Sequence, residues 1–263
     1  MEFERKEKYE MQDLLKIMEL LRSPDGCPWD REQDHHSIRA NFIEETYEAI
    51  EAIDTENAEL LKEELGDVLL QVVFHAQMEQ EKGSFDFSDV VDGICKKLII
   101  RHPHVFSEVS AKTSDEVLKN WDAIKMQTKE QKTQTEVLQS VSPALPALMR
   151  SQKVQKKAAK AGFDWDNVDG ALAKIFEELD ELKEAIDEGG QISSEEELGD
   201  LLFSVVNVAR FIHVDSEQAL SKACDKFISR FGKLEALALE RGMDIQKASL
   251  PELDALWEEV KHS

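Results

Sequence analysis

The chain has 263 residues, 41% of them hydrophobic and 33% charged, which is typical of a globular protein with one large domain or two ordinary ones. Its formal net charge of −23 disfavours nucleic acid and anionic membranes as partners. The N-terminus is charged and lacks a signal-peptide core. The three cysteines form no CxxC pair. We therefore expect a cytoplasmic protein with reduced cysteines.

In chain order, the first half consists of predicted helices. A first helix has apolar residues at helical spacing, namely Leu14, Leu15, Met18 and Leu21. A GxxWD loop from Gly26 follows, then an acidic helix, a helix from about residue 58 to 80 and another from about 87 to 101. No segment of any length has the strict alternation of a half-buried strand. The sequence predicts an all-α fold with antiparallel helix packing.

The chain contains an internal repeat. EETYEAIEAID from Glu44 recurs as EELDELKEAID from Glu177, 133 residues later, and EELGDVLLQVV recurs as EELGDLLFSVV at the same offset. Residues 44–76 and 177–209 align without a gap and share 16 identities in 33 positions. The sequence therefore predicts two copies of one helical unit.

We place the predicted units at residues 1–130 and 146–263, with a linker at 131–145. A polar run ahead of Pro143 and Pro146 separates the two copies. The repeat extends to a few positions outside the ungapped alignment, where Gly26, Trp29, Lys97, Arg101 and Trp121 correspond to Gly162, Trp165, Lys226, Arg230 and Trp257.

Each copy has two pairs of carboxylates at helical spacing. They are Glu45 with Glu48 and Glu64 with Asp67, then Glu178 with Glu181 and Glu197 with Asp200. Residues three apart share a helix face, and like charges at this spacing destabilise a helix. Because the same pairs nevertheless recur in register, they favour a binding site over a solvated charged face. Gly66 and Gly199, inside their predicted helices, suggest close approach of a neighbouring helix or a ligand.

Four carboxylates held together need a compensating positive charge. Their oxygens suit a hard cation, Mg²⁺ or alternatively Mn²⁺, better than Zn²⁺. The ExxH pairs of di-iron bundles do not occur here, because Glu51 and Asp67 stand at those positions. A Mg²⁺ site of this kind typically takes substrate phosphates as further ligands.

Basic and aromatic residues recur as well. Lys226 and Arg230 are spaced i, i+4, as are their counterparts in the first copy, and this recurrence favours phosphate binding over surface salt bridges. The four tryptophans are either core residues or a stacking surface for a nucleobase. Lys174 precedes the second acidic cluster, but its counterpart is Asn41, so the two sites are not equivalent.

The EExxE motif, the ELGD motif on the next helix and the following KxxxR together resemble the MazG family of the all-α NTP pyrophosphatase superfamily, over nearly the whole chain. The resemblance implies Mg²⁺-dependent hydrolysis of NTPs and dNTPs to a monophosphate and pyrophosphate. It also implies four-helix-bundle-type packing completed across a homodimer, with the C-terminal unit as the catalytic one.

By position, the resemblance implies metal ligands at Glu178, Glu181, Glu197 and Asp200. It implies phosphate contacts from Lys174, Lys226 and Arg230, with Trp257 near the nucleotide. Glu45, Glu48, Glu64 and Asp67 would form a second metal site. Glu177, or Glu44 in the first copy, is the candidate to orient or deprotonate the attacking water.

Three alternatives remain open from the residues alone. The first is a non-catalytic helical module that binds Mg-nucleotide for regulation. The second is a metal-dependent phosphohydrolase that releases orthophosphate. The third, a coiled-coil-like scaffold, is disfavoured because no a/d heptad pattern is sustained. Neither the preferred nucleobase nor the activity of the first copy follows from the sequence.

Overall fold

The computed structural model describes residues 3–107, 113, 117, 124 and 132–262. Every regular element among these residues is a helix, which confirms the predicted all-α class. The chain divides into two compact units, unit 1 (Met1–Lys125) and unit 2 (Met126–Ser263). Trp121 and the end of the predicted first unit, through residue 130, lie outside the described residues. Within the described part, no helix is long and apolar enough to cross a bilayer.

Unit 1 is organised around a hairpin of two helices. Its helices with described bounds are α1 (Met11–Arg22), α2 (Pro28–Glu32), α3 (Arg39–Asp54), α4 (Ala58–Lys82), α5 (Phe87–Arg101) and α6 (Pro103–Phe106). A short turn joins α3 to α4, and the Asn57 side chain caps α4 by accepting a hydrogen bond from the Leu60 backbone N–H. Helix α1 packs on α4 through an apolar core of Met18, Ile38, Val73, Phe74 and Met78.

Unit 2 repeats this plan. Its helices are α7 (Gln134–Gln139), α8 (Ala147–Lys160), α9 (Val168–Asp187), α10 (Gln191–Phe211), α11 (Ser216–Glu240) and α12 (Leu250–Lys261). Helices α9 and α10 form the hairpin, α8 packs on α10, and α12 packs on α11 around Leu234, Ala238, Leu256 and Val260. Helix α7 lies in the predicted linker and packs against α8, and its Val137 is buried.

Several apolar faces are left uncovered within each unit. Helix α5 buries none of its residues, and Val90, Val91, Ile94 and Leu98 are each more than one-third exposed. A Cβ built on Gly66 or Gly199 would meet nothing within 4 Å in the described chain. The close approach expected at these glycines is therefore not made by a neighbouring helix of the described chain.

Candidate active site

The hairpin of unit 1 brings carboxylates of two helices together. Glu45 and Glu48 on α3 and Glu64 on α4 each offer an oxygen, and these oxygens lie within 4.8 Å of one another. Glu64 is buried although it is ionisable. Asp67 lies one turn further along α4, near enough for its charge to act on Glu45. We call these four residues the unit 1 carboxylate cluster.

The hairpin of unit 2 makes the equivalent arrangement. Glu178 on α9, with Glu197 and Asp200 on α10, offers oxygens within 4.8 Å of one another. Glu181, the fourth predicted ligand, shares a hydrogen bond with Glu178. We call these four the unit 2 carboxylate cluster. Glu177 is exposed and pairs with Lys174 at 2.8 Å instead of joining the cluster.

Burial and mutual repulsion raise the pKa of three of these carboxylates. Burial, followed by the charges of Glu48 and Asp67, raises the pKa of Glu64. Burial and then the charge of Asp67 raise the pKa of Glu45, and burial with the Glu178 hydrogen bond raises the pKa of Glu181. A raised carboxyl pKa means that the surroundings disfavour the anion. Both clusters therefore favour binding of a compensating cation.

The two clusters differ in their nearest basic group. In unit 2, Lys174 Nζ lies 2.6 Å from Glu178 Oε1, so an ammonium group already compensates one carboxylate. The Glu177 hydrogen bond, then the Glu178 hydrogen bond, raise the pKa of Lys174, which keeps it charged. In unit 1 the counterpart is Asn41, a neutral residue. The structure thus places Lys174 in contact with the unit 2 carboxylate cluster, and its predicted phosphate contact stays a prediction.

The donor set fits a hard divalent cation. The three oxygens that converge in each unit all come from carboxylates, which suit Mg²⁺ or Mn²⁺ and offer no soft ligand. Asp200 is exposed while Glu178 is buried, so one side of the unit 2 cluster faces solvent. An ion held there would retain open positions for phosphate oxygens or water.

The other predicted binding residues lie on different helices. Lys226 and Arg230 are on α11, and Trp257 on α12 packs against Phe227 with ring centroids 5.1 Å apart. Trp257 also borders the core shared by α11 and α12. Its ring therefore has a packing role, and its predicted place near the nucleotide stays a prediction. The roles of Lys226 and Arg230 at phosphate are likewise predictions.

The sequence analysis missed a pocket of about 410 Å³ in unit 2. Its lining includes Gln155, Asn207 and Trp165, of which only Trp165 was singled out from the sequence. The residue that could have indicated this pocket from the sequence is Gln155. It lies on the inner face of α8, next to the equally buried Gln152, where a core residue is expected to be apolar.

Comparison with known proteins agrees with this geometry. The MazG nucleotide pyrophosphohydrolase domain matches residues 33–106 and again residues 167–234, which span both carboxylate clusters. A nucleoside triphosphate pyrophosphohydrolase/pyrophosphatase MazG of Thermotoga maritima is 48% identical over 250 residues, 95% of each chain. A nucleoside triphosphate pyrophosphohydrolase of Escherichia coli is 46% identical over 253 residues, 94% of this chain and 95% of that protein. The chain therefore belongs to the MazG nucleotide pyrophosphohydrolase family and contains two copies of its domain.

Proposed function

We propose that the chain hydrolyses nucleoside and deoxynucleoside triphosphates between the α and β phosphates, with Mg²⁺ as the metal and unit 2 as the main catalytic site. The observation that carries the proposal is the convergence of Glu178, Glu197 and Asp200 beside Lys174. The names of the relatives from Thermotoga maritima and Escherichia coli support the substrate class.

The unit 2 carboxylate cluster would hold Mg²⁺, which when bound supplies charge neutralisation and a Lewis acid for the phosphate oxygens. With the Glu178 charge compensated in this way, Lys174 would be free to donate to a phosphate oxygen instead. Lys226 and Arg230 would stabilise charge on the departing pyrophosphate. Glu177, exposed beside the cluster, is the candidate to orient the attacking water.

We also propose that the protein is a homodimer. Support comes from the exposed apolar face of α5 and from the open space above Gly66 and Gly199. Large uncovered apolar patches commonly mark protein interfaces. A second copy of the chain would cover such a face through a symmetric interface.

Product analysis tests the reaction. The full chain is incubated with each common NTP and dNTP, with Mg²⁺ and with chelator, and the products are separated by chromatography. We expect metal-dependent formation of monophosphate and pyrophosphate in equal amounts. Release of orthophosphate would contradict cleavage between the α and β phosphates. Binding without any product would favour the regulatory module instead.

A further inference from the structure

Two histidines of unit 1 contact each other beside a carboxylate. His35 lies in the segment between α2 and α3, and His75 lies on α4. The Nδ1 atoms of the two rings are 2.7 Å apart, and His35 Nε2 lies 2.5 Å from Glu79 Oε1. The rings are nearly parallel, with centroids 5.0 Å apart. The three side chains form one hydrogen-bonded group, which we call the histidine network.

The carboxylate determines where one proton of the histidine network lies. Hydrogen bonds, first from Lys82 and then from His35, lower the pKa of Glu79 to about 2. Glu79 is therefore an anion wherever histidine titrates, and it can only accept hydrogen bonds. His35 must carry a proton on Nε2 and donate it to Glu79. The contact between the two Nδ1 atoms then has room for one proton, because a hydrogen bond needs one donor and one acceptor.

This geometry limits the charge that the two rings can carry. One added proton gives the pair a single positive charge and leaves the hydrogen bond between the Nδ1 atoms intact. A second added proton would put N–H groups on both Nδ1 atoms, and two imidazolium rings would repel each other across 2.7 Å. Burial, and then the charge of His35, lower the pKa of His75 below its usual value of 6.5. While His35 is charged, the contact therefore requires a neutral His75.

The surroundings add one carboxylate to the pair. Among the described residues, Glu79 is the carboxylate that hydrogen-bonds to either ring, and Lys82 contacts Glu79 at 2.7 Å. From α3 the neighbour is Phe42, an uncharged ring whose centroid is 5.6 Å from that of His75. The other charged groups on the segments around the two rings are Arg22 on α1, Asp34 and His36 beside His35, Arg39 at the start of α3, and Glu81 on α4.

The histidine network joins the beginning of α3 to α4. His35 lies three residues before Ile38, the N-cap of α3, which is 2% exposed and belongs to the unit 1 core. His75 is on the helix against which that core packs. Helix α3 supplies Glu45 and Glu48 to the unit 1 carboxylate cluster. The contact between the two rings therefore helps to hold the helix that carries half of this cluster.

Unit 2 lacks the histidine network. The repeat offset of 133 residues makes Val208 the counterpart of His75 and Ile212 the counterpart of Glu79. Neither residue ionises, so the same place on the second hairpin does not respond to pH. The two units of the repeat thus differ in a group that titrates near neutral pH.

We propose that the histidine network is a pH-sensitive contact of unit 1, in which protonation of His75 beside a charged His35 breaks their hydrogen bond and releases the first turn of α3 from α4. Because the pKa of His75 is lowered in the native contact, the released form binds the proton more tightly. The contact is therefore present above pH 6.5 and is lost as the pH falls through the lowered value. The inference is independent of the proposed function, because neither nucleotide nor metal takes part.

The first test is a ¹H–¹⁵N NMR titration of the histidine side chains in the full chain. The ring nitrogens of His35 and His75 should shift together in two steps, because protons that bind to a coupled pair belong to the pair. The second step should fall below pH 6.5 and should coincide with loss of the shared proton. Two independent titrations, each at the ordinary histidine value, would overturn the proposal.

The second test measures amide hydrogen exchange at Phe42, whose backbone N–H donates to the Ile38 carbonyl oxygen in the first turn of α3. Each rate is divided by the intrinsic rate at the same pH, so that the opening of the helix is what remains. Protection should fall about tenfold between pH 7.5 and pH 5.5, as expected for the loss of one hydrogen bond. Amides in the first turn of α9 serve as the internal reference and should show no such step.

Three variants assign the step to the histidine network. His75→Val introduces the unit 2 counterpart and should abolish the step at Phe42. His35→Gln breaks the same contact from a side chain that is one-third exposed, so it serves if His75→Val does not fold. His36→Gln, an exposed neighbour, is the matched control and should keep the step. A wild type without the step, a step that persists without His75 or His35, or its loss in His36→Gln would overturn the proposal.

Discussion

Lys174 Nζ lies 2.6 Å from Glu178 Oε1, and only 5% of the Glu178 residue is exposed. An ammonium group thus compensates the charge of a buried carboxylate in the unit 2 carboxylate cluster. The same position in unit 1 is Asn41. Two hairpins with the same carboxylate pattern therefore differ in how their negative charge is compensated.

Lys174→Asn should destabilise the metal-free protein by about 1–2 kcal/mol. Removing one partner of a fully buried pair costs more, but Lys174 is partly exposed. Added Mg²⁺ should reduce the deficit, because the ion compensates Glu178 instead. Urea denaturation with chelator and with Mg²⁺ measures both effects.

The control is Lys183→Asn, which breaks an exposed i, i+3 pair with Asp180 on the same helix and should cost less than about 0.5 kcal/mol. Equal losses of unfolding free energy in the two variants would contradict the role of Lys174 in compensating the charge of Glu178.

Glu197→Gln should lower kcat/KM about a thousandfold, because the proposed function makes Glu197 a metal ligand of the unit 2 carboxylate cluster. Glu64→Gln makes the matched change in unit 1 and should leave most of the activity. Steady-state kinetics of pyrophosphate release under saturating Mg²⁺ compares the two. The reverse pattern would assign catalysis to unit 1.

Unit 1 should lose stability in acid through Glu79. The Lys82 and His35 side chains hydrogen-bond this carboxylate, and together with Ser84 they lower its pKa from 4.5 to about 2. A lowered carboxyl pKa stabilises the fold above the unfolded value of 4.5, and this stabilisation is lost as the pH falls toward 2. Glu79→Gln should flatten the decline in unfolding free energy over that pH range. Parallel wild-type and variant curves, measured by urea titration, would contradict the assignment.

Gly199→Ala should separate folding from self-association. Alanine favours a helix interior by about 1 kcal/mol over glycine, and no described atom would meet its Cβ. The free energy of unfolding of the dilute protein should therefore increase. A dimer that packs on this face should be weakened, so that it dissociates at a higher protein concentration than the wild-type dimer. Denaturation and analytical ultracentrifugation measure the two effects. A stabilised variant with unchanged association would place the dimer interface elsewhere.

The convergence of carboxylates on each hairpin was predictable, because helical periodicity is local and the repeat shows the same spacing twice. The predicted helices near residues 58–80 and 87–101 agree with α4 (Ala58–Lys82) and α5 (Phe87–Arg101), whose ends are marked by Asn57, Gly83 and Asp86. Capping residues and apolar spacing act within a few residues of sequence.

What could not be predicted depends on contacts between distant segments. No local feature of the sequence distinguishes Trp165, which is exposed, from Trp257, which packs on Phe227. Helical spacing can place Gln155 on the inner face of α8, but its hydrogen bond to the Phe203 carbonyl, 48 residues away, depends on the tertiary fold. The bond between Lys174 and Glu178 likewise depends on which of several carboxylates the ammonium reaches.

The pocket of unit 2 has a consequence for thermal unfolding. Unit 1 fills its interior with side chains, whereas unit 2 leaves space and an unpaired carbonyl oxygen there. Unfilled volume lowers stability, and a molecule that binds only the native state restores it in proportion to the logarithm of its concentration. The unit with the pocket should therefore melt first in a calorimetric scan, and its transition alone should move upward as nucleotide is added.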